Sequence, residues 1–286
     1  MQKLSRSNMS NQANTQPLLT RDMIRESDTA LWRLFLRINP ARLDVLLLGP
    51  ESVETSVIFH SVELGAPNCQ ALEEAIYDNP LLLSDFGQVI VTFDTANFAL
   101  IPAECVELKE EIARTLMPSE RSADDFELFG VETGVEQLMM VRVERDVMKF
   151  LRRTFAQATY GHVLAVDVTY LNHVNQNGDC CRTYGLCTAH DELAVVSFRP
   201  DGRACYINGF TDVVPDDVAY YMLAARSQAG GGQLVVGGEL SRRNAASEAL
   251  RRVESEVLPI TLSEDLLQLC RMAPQAPLDL LFATQL

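Results

Sequence analysis

A mixed α/β fold in duplicate is predicted, with two lobes of mixed sheets that each open on a three-stranded meander. Three observations predict it. The stretch Leu43-Asp44-Val45-Leu46-Leu47-Leu48-Gly49-Pro50-Glu51 returns 150 positions later as Leu193-Ala194-Val195-Val196-Ser197-Phe198-Arg199-Pro200-Asp201. The order strand, turn, strand, Pro-containing turn, strand, helix, strand can be read around both copies. The 286 residues, 47% apolar and 22% charged, suit two soluble lobes of roughly 130 residues each.

In the first lobe, Leu31 to Ile38 alternates and reads as a strand. Asn39-Pro40-Ala41 turns the chain, Leu43 to Leu48 is a more continuously apolar strand, and Ser56 to Val62 is a third. Ala66-Pro67-Asn68 breaks the pattern. Leu72, Ala75 and Ile76 at helical spacing predict a helix over Cys69–Tyr77, and the β-branched run Gln88–Phe93 a strand.

A less regular middle follows. Phe98–Pro102 reads as an edge strand stopped by proline and Val106–Met117 as a helix. Phe126–Phe129 and Leu138–Val143 read as a strand pair, then Glu144–Phe155 as a helix. Val163–Val168 is expected to be a buried strand and Tyr170–Gln176 helical or irregular. Asn177-Gly178-Asp179 is a break and marks the lobe boundary. The second lobe then has strands at Thr183–Thr188, Leu193–Phe198 and Ala204–Phe210. Pro215 opens a helix over Asp216–Ser227, a position that suits proline. Gln233–Val236 is a short buried strand running into Gly237-Gly238. Asn244–Glu254 is a helix, Leu258–Thr261 a strand, and Ser263–Met272 a helix with Ser263 as its cap. The expected domains are a disordered tail over 1–27, a first lobe over 28–176 with an irregular insertion, and a second lobe over 177–286. Met23 is a candidate alternative start.

Composition excludes several function classes. The net charge of −15 opposes nucleic-acid binding through a phosphate-neutralising surface, and opposes anionic membranes for the same reason. Arg242-Arg243 and Arg251-Arg252 read as a solvated helix face. No apolar run is long enough for a membrane helix, and the first 27 residues lack the apolar region of a secretory signal. Seven cysteines, an odd number without secretory context, predict reduced thiols and a cytoplasmic location.

The chemical candidates are weak. His173, Cys180, Cys181, Cys187 and His190 cluster, but adjacent Cys180-Cys181 cannot readily chelate one ion, so no metal site is expected. The histidines His60, His162, His173 and His190 are scattered and no Gly-x-Ser-x-Gly elbow occurs, which argues against hydrolase chemistry. Asp212, Asp216 and Asp217 surround a helix start, where the dipole favours carboxylates. Tyr220-Tyr221 reads as core plus rim.

The doubled meander followed by helix–strand alternation resembles the ribonuclease H-like, actin-like ATPase superfamily of actin, heat-shock chaperones and sugar kinases. Phe93–Pro102, Tyr206–Phe210, Asp217–Tyr221 and Leu234–Gly238 together resemble a bacterial family of unknown function with that fold, similar to pilus-assembly proteins of the PilM type. The resemblance implies phosphate-binding turns between the first two strands of each lobe, with glycines to admit phosphate oxygens. The turn Arg37–Arg42 has no glycine and carries Pro40, which lacks a donor. The turn Thr188–Glu192 also lacks glycine and would point two carboxylates at a triphosphate. The strand ending in Gly237 and Gly238 resembles the superfamily's adenosine element, although glycine there also suits an ordinary turn. Asp167 resembles its Asp-containing strand ends without the glycine that follows them, and a capping or surface role is expected. The first functional reading is therefore a degenerate pseudo-ATPase module without catalytic activity or cofactor. It would bind a protein partner or a second copy of itself, but no nucleic acid and no membrane. The alternative is a nucleotide-dependent enzyme or switch holding ATP with magnesium between the lobes, through Gly237 and Gly238.

Overall fold

Two apolar runs joined by a tight turn are buried on both faces, and this sets the centre of the first lobe. In the computed structural model, residues 19, 24, 26–50, 56–175, 180–188 and 191–286 are described. Strand β1 (Arg33–Asn39) is buried from Leu34 to Ile38, and every residue of β2 (Arg42–Leu48) is buried. Strands covered on both faces carry continuous rather than alternating apolar sequence. β3 (Val57–Glu63) is only partly covered. Helix α1 (Cys69–Tyr77) is capped by Asn68, whose side chain accepts from the Ala71 N–H at 2.9 Å, and leads to β4 (Gln88–Phe93).

The insertion is a small sheet of its own. β5 (Phe98–Pro102), α2 (Lys109–Leu116), β6 (Phe126–Glu132) and β7 (Gln137–Glu144) follow, and the sheet runs β5-β7-β6. β5 is an edge strand, as its terminal proline predicts. After α3 (Arg145–Thr154), β8 (Thr159–His162) returns to the first sheet, whose order is β3-β2-β1-β4-β8.

The expected buried strand at Val163–Val168 is instead the start of helix α4 (Val163–Asn175). The reason is its position. Val163 to Val168, Tyr170, Leu171 and Asn175 are all buried, because α4 lies between the lobes and packs on β8 and on second-lobe strands. A helix covered all round has no amphipathic stripe, and a short β-branched run then looks like a strand.

The second lobe repeats the first. β9 (Arg182–Cys187), β10 (Leu193–Phe198) and β11 (Ala204–Phe210) form its meander, followed by α5 (Pro215–Gln228) and β12 (Gln233–Gly238). Helix α6 (Leu240–Arg251) begins four residues earlier than expected, because the Glu239 side chain accepts from the Arg242 N–H at 2.8 Å and caps it. β13 (Val257–Pro259) closes the sheet in the order β11-β10-β9-β12-β13, the same arrangement as in the first lobe. Equivalence extends to the register. Val45 lies between Leu36 and His60, and its repeat partner Val195 lies between Gly185 and Asn208.

Two helices end the chain, α7 (Glu264–Met272), capped by Ser263, and α8 (Leu278–Phe282). α8 packs on α4 and on β1 of the first lobe. Phe282 stacks on Tyr170 with ring centroids 3.9 Å apart, and one apolar core runs continuously through both lobes. Most of the tail expected over 1–27, Glu51 of the first repeat copy, and the boundary at 177–179 lie outside the described residues. Leu19 and Ile24 are buried in the first lobe.

Gly237 and Gly238 end β12 in parallel register with Leu186 and Cys187 of β9. Gly238 has φ of +106°, and a Cβ there would overlap the Cys187 carbonyl oxygen. A Cβ at Gly237 would come within 2.8 Å of Ile260 and 2.9 Å of Leu186. Gly238 is required by this backbone approach whatever binds, and Gly237 is crowded by neighbouring side chains. Gly238→Ala is expected to destabilise the ligand-free protein by roughly 2–3 kcal/mol or more, read as a lowered denaturant midpoint without nucleotide present.

Candidate functional site between the lobes

Arg37 carries a charge into the middle of an otherwise apolar strand. Its side chain is 1% exposed, so a guanidinium that cannot shed its proton must be paired where it lies. Four carboxylates from four segments meet it. Nη1 reaches Asp44 of β2 at 3.2 Å, and Nε reaches Asp279 of α8 at 2.9 Å. Nη2 contacts Asp94, just after β4, at 2.6 Å and Glu192, at the entry to β10, at 2.7 Å. Burial alone would weaken the hold of Arg37 on its proton, but Asp279, Asp94, Glu192 and Asp44 outweigh it and raise its pKa well above the ordinary value.

The two hairpins that face each other across the lobes are tied to this centre. In the first, Asn39 Oδ1 accepts from the Ala41 N–H at 2.9 Å and fixes the turn. Its Nδ2 donates to Asp94 at 2.8 Å and across the lobes to Glu192 at 3.0 Å. In the second, the Thr188 hydroxyl donates to Glu192 Oε2 at 3.1 Å. The neighbouring Asp191, with φ of +59°, turns the other way and pairs with Arg242 of α6. The two carboxylates expected to face a triphosphate are thus each engaged by an arginine of the chain. Ala189 and His190, between Thr188 and Asp191, lie outside the described residues.

A cavity of about 80 Å³ lies between the lobes beside Arg37, lined also by Asp94, His162, Asp167, Glu192 and Asp279. His162 is buried with both ring nitrogens committed: Nδ1 accepts from the Leu164 N–H at 3.1 Å, which leaves Nε2–H to donate to the Thr95 carbonyl at 2.8 Å. Burial lowers its pKa, so the ring is neutral and structural. Asp167, on α4, is 4% exposed, and its Oδ1 has no hydrogen-bond partner. Burial first, then the charge of Asp279, pushes its carboxyl well above the usual carboxylate range, against the pull of Arg37. Burial also raises the carboxyls of Glu192 and Asp279, again opposed by Arg37.

The other residues singled out in the sequence lie apart from this centre. Asp217 caps α5 by accepting from the Val214 N–H at 3.1 Å, and Asp216 pairs with Arg252 at 3.1 Å. Tyr221 stacks on Phe210 at 3.8 Å while Tyr220 is exposed. The Cys187 thiol is buried and pushed up to about 12. Among the described residues, no group of three or more His, Cys, Asp and Glu is arranged to hold a metal. Gly237 and Gly238 do not line the cavity, although their β9 neighbours Leu186 and Cys187 do. Sequence reasoning missed Arg37, Asp44, Asp94, Glu192 and Asp279 as a unit. The one local signal was a pair of opposite charges, Arg37 and Asp44, set about one tight turn in two apolar runs.

The raised carboxyl of Asp167 gives stability a definite pH dependence. Below the unfolded carboxylate pKa of about 3.9, both states hold the proton and burial carries no penalty. As pH rises, the unfolded chain gives up its proton first and stability falls, until the loss is complete above the folded-state pKa. Asp167→Asn removes this loss. The variant is expected to melt higher than the wild type near neutral pH, with the difference vanishing at about pH 3. Parallel melting curves at both values check it, and an unchanged melt at neutral pH contradicts it.

A Bacteroides thetaiotaomicron protein with actin-like ATPase fold and unknown function superposes with a TM-score of 0.74 at 15% identity, over 92% of this chain and 99% of its own. A structure of the PilM–PilN type IV pilus biogenesis complex matches with a TM-score of 0.55 at 11% identity, over 88% of this chain and 98% of that one. At these identities the likeness establishes the fold, and the fold is actin-like. No curated protein matches the sequence. Among the described residues, no helix is long and apolar enough to cross a membrane. The model of the family described as "Protein of unknown function (DUF3822)" matches residues 25–252, and the chain belongs to that family.

Proposed function

We propose that the protein is a non-catalytic, actin-like module that acts by binding a protein partner or a second copy of itself. In this reading its lobes are held together by its own side chains rather than by a nucleotide. The observation that carries it is the placement of Arg37 and Asn39, which engage Glu192 across the two facing hairpins. A polyphosphate entering between those hairpins would have to displace these bonds. It would also meet the carboxyl groups of Asp94, Glu192 and Asp279 around the same cavity, and like charges in a poorly hydrated space repel strongly. The cavity of about 80 Å³ is small beside the several hundred Å³ that ligands of nucleotide size occupy. The partner reading draws support from the PilM–PilN complex, in which a protein of the same fold is found assembled with another. We also place the protein in the cytoplasm, in keeping with seven unpaired thiols.

The second reading is an ATP- and magnesium-dependent switch. It is motivated by the resemblance of the strand ending in Gly237 and Gly238 to the superfamily's adenosine element, although Cys187, Leu186 and Ile260 fill the side on which their Cβ atoms would stand. Titration calorimetry of the full chain with ATP and with ADP in magnesium separates the two. No saturable heat is expected. Micromolar binding of either nucleotide contradicts the non-catalytic reading.

A further inference from the structure

Around the inter-lobe cavity gather more carboxyl groups than its one guanidinium can pair. Asp94, Asp167, Glu192 and Asp279 line it against the single arginine Arg37. The guanidinium is already committed at every nitrogen: Nε to Asp279, Nη1 to Asp44, and Nη2 to Asp94 and Glu192. His162 spends both ring nitrogens on the backbone. Asp167 is left with a carboxyl oxygen that no donor reaches, at 4% exposure. Buried polar atoms without partners are rare, and leaving one is costly. The remaining walls are apolar, with Phe98, Leu164, Leu186, Leu193 and Phe210 among them.

We propose that this cavity binds a small primary ammonium ion carrying a short alkyl tail, with the Asp167 carboxylate accepting its N–H bonds. An ammonium supplies the donors Asp167 lacks and offsets the surplus of carboxylates. A short tail suits the apolar walls, and a cavity of about 80 Å³ admits only a few non-hydrogen atoms. A coordinated metal fits less well, since no group of three or more His, Cys, Asp and Glu among the described residues is arranged to hold one. Such a ligand would sit at the joint between the lobes, away from any partner on the outer surface.

Calorimetry and thermal melts of the full chain with n-propylammonium chloride test this, with tetramethylammonium chloride and magnesium chloride at matched ionic strength as controls. Saturable binding and a raised melting temperature are expected for propylammonium alone. Asp167→Asn should weaken binding at least tenfold. Affinity should also rise with pH as Asp167 gives up its proton in the field of Arg37, Asp94 and Asp279. In the wild type itself, the infrared absorption of protonated buried carboxyls should fall on adding propylammonium, which removes any dependence on how the variant folds. Absence of saturable binding, an equal response to tetramethylammonium or magnesium, unchanged affinity in the variant, or protonated-carboxyl absorption that propylammonium leaves unchanged overturns the proposal.

Discussion

One guanidinium sets the relation between the two halves of this molecule. Arg37 leaves β1 and meets carboxylates from β2, from the segment after β4, from the second hairpin and from α8. Removing such a group does not merely delete a favourable pair. It leaves buried Asp279 and half-buried Asp94 and Glu192 without their arginine, while Asp44 keeps Arg42 at 2.9 Å, and an uncompensated buried charge is more damaging than never having had the pair. The second hairpin and α8 each bring a carboxylate to that guanidinium, and α8 packs on β1 beside it. Asn39 extends the same centre by donating to Asp94 and Glu192 from the tip of β1.

The duplication shows how selectively this centre was built. Arg37 pairs with Asp44 in the register of β1 and β2, and the equivalent register of β9 and β10 places Leu186 against Ala194. The strand geometry is common to both copies, while the buried charge belongs to the first alone. The second copy supplies its carboxylate from outside that register, through Glu192. An actin-like frame therefore has its two facing hairpins bridged by protein groups. Gly238, in the element most suggestive of nucleotide, has a backbone reason to be glycine, its φ of +106° and the Cys187 backbone where a side chain would stand, and Gly237 is crowded by the side chains of Leu186 and Ile260.

The fold was largely legible because its strands follow simple patterns. β2 and β10 share their apolar pattern, with Leu and Val matching outright, and Pro215 and Ser263 mark helix starts by ordinary helix-start chemistry. α4 was not legible, because burial on every side erased the periodicity that distinguishes a helix from a strand. The absence of glycine from both hairpin turns could be read directly. The site itself could not, because its residues run from Arg37 to Asp279 and meet only through tertiary packing. Asp167 was visible as an acid in an apolar run, but its lack of a partner is a property of the assembled interior.

A double-mutant cycle between Arg37 and Glu192 measures the clasp most directly, using denaturant unfolding of wild type, Arg37→Met, Glu192→Met and the double variant. If these residues hold the lobes together, the double variant should lose less stability than the two single losses combined, with a coupling of about 1–3 kcal/mol. Losses that add to within about 0.5 kcal/mol would mean the contact carries no energy between the lobes, and would contradict the account.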